Sequence, residues 1–122
     1  MNAYIFINNI SIEMAESVIG GAPIKATHIE VNPPHVSAYI NQKNDWYWYQ
    51  KDLGAWVYCF DKSVERVSII EINQALKDFA LVSKFGGLKA AKIYQDNRTK
   101  NKISRFSDLD QAIQRIEGGL SI

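Results

Sequence analysis

The sequence predicts an α+β domain, an antiparallel sheet of about four to six strands with three to four helices packed mainly on one face. Three observations point there. Short β-type runs crowd the N-terminal half while segments with helical spacing fill the C-terminal half. Seven of the 14 aromatic residues fall between Trp46 and Phe60, where they read as a β-hairpin. Six of the seven glycines come in pairs, Gly20-Gly21, Gly86-Gly87 and Gly118-Gly119, each after a segment of helical spacing, and so read as helix stops.

Taken in order, Tyr4 to Ile7 is a short apolar run that reads as a strand. A first helix is expected after Ser11, burying Met14, Ala15, Val18 and Ile19 and ending at Gly20. Thr27 to Val31 and Val36 to Ile40 are β-type runs separated by Pro33-Pro34, because proline cannot extend a central ladder. Next comes the hairpin, for which Asp52-Leu53-Gly54 fits a three-residue loop with glycine at the left-handed position. Arg66-Val67 adds a short strand. Ser68 with Glu71 three residues on is a capping-box pattern, and Ile69, Ile72, Leu76, Phe79 and Ala80 form the buried stripe of the helix it opens. After Gly86-Gly87, a helix from Leu88 to about Tyr94 places Leu88, Ala91 and Tyr94 on one side, and 96–102 reads as a polar loop. The last helix follows Ser107, buries Leu109, Ala112, Ile113 and Ile116, and stops at Gly118.

Pairing the hairpin outward from the three-residue loop sets Gln50 against Trp56, Trp48 against Tyr58 and Trp46 against Phe60. Opposed residues share a face. One face would then hold Trp46, Trp48, Trp56, Tyr58 and Phe60, the other Tyr47, Tyr49, Val57 and Cys59. A hairpin in a two-layer domain usually buries one face and wets the other, yet both of these are apolar. The aromatics are therefore either core, as aromatic side chains often are, or one face is a contact surface, since Trp and Tyr are enriched at binding hot spots. A slip of one residue in register would swap the partners.

At 122 residues the chain is expected to be one domain, 1–122, able to bury about two thirds of its unfolded surface. The single Cys59 cannot form an internal disulfide, which points to a reducing, cytoplasmic setting. The N-terminal apolar run is about five residues and lacks a basic leader, far short of the roughly 18 that cross a bilayer, so no membrane partner is expected. A net charge of +1, from 14 basic and 13 acidic residues, argues against a strongly charged nucleic-acid binder or mimic.

Candidate chemistry is thin, and no cofactor, metal site or catalytic residue is expected. His28-Ile29-Glu30 matches half of the zinc deaminase signature, but the P-C-x-x-C half is absent. Cys59 suits a small buried filler. Phe85-Gly86-Gly87-Leu88-Lys89 puts glycines before a helix, where amides could hold a phosphate, but helix termination explains them equally well. A basic segment, 84–105, carries Lys84, Lys89, Lys92, Arg98, Lys100, Lys102 and Arg105 against Asp96 alone; it could track a phosphate backbone or be a solvated loop.

Two stretches together resemble small accessory proteins of bacteriophages and prophages: Gly21-Ala22-Pro23-Ile24-Lys25-Ala26-Thr27-His28 followed by the Trp46-Tyr47-Trp48-Tyr49 and Trp56-Val57-Tyr58 hairpin, and the stretch from Leu76 to Leu88. The resemblance covers about half the chain and brings no catalytic residues. It implies a compact protein of the bacterial host cytoplasm that binds and blocks a host protein complex, such as inhibitors of bacterial defence of the anti-CRISPR type.

The expectation is thus a non-catalytic macromolecule-binding protein, with Trp46, Trp48, Trp56 and Tyr58 as anchors and Lys89, Lys92, Arg98, Lys100, Lys102 and Arg105 as a charged rim or nucleic-acid contact. The alternatives are a nucleic-acid-binding module using 84–105 and a small enzyme with an unrecognised site. A homodimer through the open aromatic face is a further expectation.

Overall fold

The computed structural model describes residues 1–32, 35–61, 64–100 and 108–121, the side chains of 98–100 excepted. It has five helices and five strands, in the order α1 (Ala3–Ile10), α2 (Ile12–Gly20), β1 (His28–Asn32), β2 (His35–Gln42), β3 (Asp45–Gln50), β4 (Ala55–Tyr58), β5 (Val67–Ser68), α3 (Ile69–Ser83), α4 (Leu88–Lys100) and α5 (Asp108–Leu120). The strands form one antiparallel sheet in the order β4-β3-β2-β1-β5. The class is α+β. Backbone contacts divide the chain into two compact units, Met1–Ile72 with the sheet and Asn73–Ile122 with the helices of the C-terminal half.

The first element departs from expectation, because 4–7 is helical. Asn2 caps α1, its Oδ1 accepting from the Ile5 N–H at 2.9 Å. The buried residues Ala3, Phe6 and Ile7 follow the i, i+3, i+4 spacing of one helix face. A cap and a buried stripe together outweigh the strand preference of Tyr, Ile and Phe. Ser11 then ends one helix and starts the next at a φ of 97°. Its N–H donates to the Ile7 carbonyl at 2.8 Å, while its Oγ accepts from the Met14 N–H at 3.2 Å. On α2, Ala15 and Val18 are buried as expected, but Met14 is exposed.

In the sheet, β1 and β2 pair Ile29 with Ala38 and His28 with Tyr39. Lys43 and Asn44, both at positive φ, make the two-residue turn into β3. The β3–β4 loop is one residue longer than expected, running from Lys51 to Gly54, with Gly54 at φ 59° and Gln50 opposite Ala55. That extra residue shifts the register by one, and every cross-strand partner changes. Trp48 faces Val57, Tyr49 faces Trp56 and Tyr47 faces Tyr58. The three tryptophans therefore do not share a face.

Tracing opposed pairs across the sheet gives one face with Val67, Ile29, Ala38, Ile40, Tyr47, Tyr49, Trp56 and Tyr58. Met14 and Val18 of α2 border the same cleft as Ile29 and Ala38 of this face, with Trp48 of the other face also at its border. The opposite face holds His28, Glu30, Tyr39, Trp46, Trp48 and Val57. Ala38, Tyr39 and Ile40 are buried in succession, so β2 is covered on both sides.

At the end of the first unit the Ser68 cap of α3 stands as expected, its Oγ accepting from the Glu71 N–H at 3.4 Å. The stripe is rotated: Ile72, Ala75 and Val82 are buried, Ala80 is exposed, and Asp78 is only 2% exposed. Asp78 is held by Arg115 through two hydrogen bonds of 2.8 Å and by Gln74 at 3.1 Å, the paired state a buried carboxylate requires. Gly86 and Gly87, at φ 93° and 111°, stop α3, with the Gly87 N–H donating to Val82 at 3.2 Å. Helix α4 runs on to Lys100, so 96–100 is not a loop; no proline or glycine interrupts it. Helix α5 buries Leu109, Ala112, Ile113 and Ile116 as expected but continues through Gly118-Gly119 to Leu120, since each glycine costs a helix only about 1 kcal/mol.

Candidate functional site

On the Trp46 face, Arg66 organises the side chains. Its guanidinium lies 4.2 Å from the Trp46 ring centroid and 4.5 Å from that of Tyr39. Nη2 donates to the Asp61 carbonyl at 2.8 Å and to Cys59 Sγ at 3.5 Å, and Nη1 donates to the Val64 carbonyl at 3.1 Å. One planar cation thus stacks on two rings and holds the connection after β4. The Tyr39 hydroxyl donates to Glu30 Oε1 at 3.1 Å. Burial, with the Glu30 charge next, pushes the Tyr39 phenol up to about 12. His28 meets Trp46 edge-on at 4.7 Å and shares a 2.8 Å hydrogen bond with Thr27 Oγ1. Burial first, and the Arg66 charge second, lower the His28 pKa. Cys59 is buried here, the small filler that was expected, though just past the end of β4.

Of the His28-Ile29-Glu30 triplet, Glu30 Oε1 accepts from the Tyr39 hydroxyl and His28 Nδ1 bonds to Thr27 Oγ1. Among the described residues no group of three or more His, Cys, Asp and Glu side chains is placed to hold a metal ion. The role of Arg66 carried no sequence signal, because its ring partners lie on strands far from it in the chain.

The other face of the hairpin is an aromatic ladder. Tyr47 and Tyr58 meet edge-on at 5.7 Å, Tyr58 and Phe60 edge-on at 4.7 Å, and Tyr49 and Trp56 tilted at 5.2 Å. Tyr47, Tyr49, Trp56 and Tyr58 are half-buried, while Phe60 is 86% exposed. Strand β4 is the last of the sheet, so among the described residues its outer edge has no strand neighbour. Of the four expected anchors, Trp56 and Tyr58 sit on this ladder and Trp46 and Trp48 on the opposite face.

Beside the ladder, at the α2 side of the sheet, lies a cleft of about 700 Å³. Its apolar wall comes from Met14, Val18, Ile29, Val36 and Ala38, with Tyr49 at one end.

The basic segment is less free than its composition suggests. Lys92 Nζ lies 2.8 Å from Glu117 Oε2, and this hydrogen bond raises its pKa. Lys89 is exposed on α4. Arg98 and Lys100 belong to α4, but their side chains, like Lys102 and Arg105 entirely, lie outside the described residues.

Fold and site thus define an α+β protein with an aromatic face at the edge of its sheet. Comparison with protein-family models, curated proteins and solved structures finds no match in any of the three. No helix among the described residues is long and apolar enough to cross a membrane.

Proposed function

We propose that this is a non-catalytic protein-binding module that docks its partner through the ladder of Tyr47, Tyr49, Trp56, Tyr58 and Phe60. The observation that carries the reading is Phe60, a large apolar side chain 86% exposed at the end of a row of ring contacts. Burying a phenylalanine contributes about 1.5–3 kcal/mol. An exposed one continuous with four half-buried aromatics is a surface whose burial awaits a partner. The open edge of β4 adds main-chain donors and acceptors to the same place, as strand addition by an extended segment uses. A role as a phage-type inhibitor of a host complex, including a defence system of the anti-CRISPR kind, is consistent with such a face and is supported by the resemblance alone.

The test compares the tagged protein with its Trp56→Ala/Phe60→Ser double variant in capture from a bacterial lysate, alongside titration with oligonucleotides at two salt concentrations. The expected result is a protein retained by the native chain and lost by a double variant that melts within a few degrees of it. Retention unchanged by the double substitution, or salt-sensitive oligonucleotide binding without protein capture, contradicts the reading.

A further inference from the structure

We propose that the cleft between α2 and the sheet is a binding site for a small amphipathic carboxylate. Its volume, about 700 Å³, falls within the range of about 300–1,000 Å³ typical of ligand sites. The wall is apolar and partly uncovered. Val18, Ile29 and Ala38 are buried at its floor, whereas Met14 and Val36 are 43% and 46% exposed at its side. Such apolar side chains gain by contact with an apolar ligand body.

The polar groups of the cleft set the sign of the ligand's charge. Lys51 borders it from the β3–β4 loop and Ser17 from α2, while His35 and Ser37 border it from β2 with side chains that alternate toward the opposite face. Among the described residues no aspartate or glutamate lines it. The Lys51 ammonium and the Ser17 hydroxyl beside an apolar wall match a carboxylate head on an apolar body, and a cationic head would meet Lys51 with no lining carboxylate to neutralise it. The site is separate in its residues from the Arg66 cluster and, apart from Tyr49, from the ladder. It therefore stands whether or not the ladder binds a protein.

Decanoate, decanol and decylammonium serve as probes, below their micellar concentrations, with binding followed by calorimetry and by amide chemical shifts. Decanoate is expected to bind one per chain at or below about 1 mM, to bind more tightly than decanol, and to outcompete decylammonium. Its shifts should centre on Val18, Ile29, Ala38 and Tyr49. Lys51 is exposed in a loop, so Lys51→Glu should fold normally; it should weaken decanoate about tenfold or more while leaving decanol unchanged. A second variant, Met14→Asp on the exposed side of α2, should weaken both probes. Absence of saturable decanoate binding, shifts centred elsewhere, or equal affinity of the native chain and Lys51→Glu for decanoate would overturn the assignment.

Discussion

On one face of the β3–β4 hairpin Trp46 lies under the Arg66 guanidinium with His28 and Tyr39 against it, while on the other Tyr49 meets Trp56, and Tyr47 meets Tyr58, which in turn meets Phe60. The residue types are alike and half-buried on both sides. What differs is the cover. The Trp46 face meets a cation whose hydrogen bonds fasten the chain after β4, so the rings of Trp46 and Tyr39 are partly covered from within the same unit. The ladder has ring contacts that end at an exposed phenylalanine on the edge of the sheet. Aromatic content alone therefore does not mark a binding face; the question is whether another part of the same unit already occupies it.

The largest expected effect comes from removing the cation. Arg66→Ala deletes two ring contacts and the hydrogen bonds to Asp61 and Val64, and should lower unfolding free energy by about 2–4 kcal/mol in denaturant titration. Arg66→Lys should recover less than half, because an ammonium lacks the planar fork. A near-neutral Arg66→Ala would break the contrast between the faces.

Tyr39→Phe should cost about 1–2 kcal/mol by orphaning Glu30 Oε1 on the same face. It also carries a pH signature. The Tyr39 phenol ionises at about 12 in the folded chain and near 10.0 in the unfolded one, so its contribution is complete below pH 10.0 and lost as pH rises toward 12. The Phe variant should show a weaker alkaline loss.

His28 works in the opposite direction. Its folded pKa lies below the ordinary 6.5, so the unfolded chain takes up the proton first and stability falls as pH drops below 6.5. Denaturant midpoints from pH 7.5 down to 5 should decline more steeply for the native chain than for His28→Gln. An equal decline would detach His28 from the buried face. The smallest effect belongs to the ladder: Phe60→Ser should change stability by no more than about 0.5 kcal/mol, as measured by thermal unfolding.

Much of the fold is legible in the sequence where local signals agree. The α5 stripe, the Ser68 cap and the two central β runs each carry a period and a boundary, and each forms where expected. The helix at α1 is missed because Tyr, Ile and Phe favour strands, while the decisive signals, an Asn2 cap and the Ala3, Phe6, Ile7 spacing, are brief. The hairpin is recognised, but its faces turn on one loop residue, and composition does not distinguish a three-residue from a four-residue connection around Gly54. That one residue separates Trp46 and Trp48 from Trp56. Arg66 is illegible for a different reason. Its value comes from rings that only the assembled sheet brings within reach of it.

The division of labour between the faces is tested most directly by the unfolding free energies of Trp46→Ala and Trp56→Ala, measured side by side in denaturant. Trp46→Ala should cost about 2–4 kcal/mol and Trp56→Ala less than about 1.5 kcal/mol, a gap of at least about 1 kcal/mol. Equal costs, or a larger cost at Trp56, would mean that the ladder is the structural face and would contradict the account.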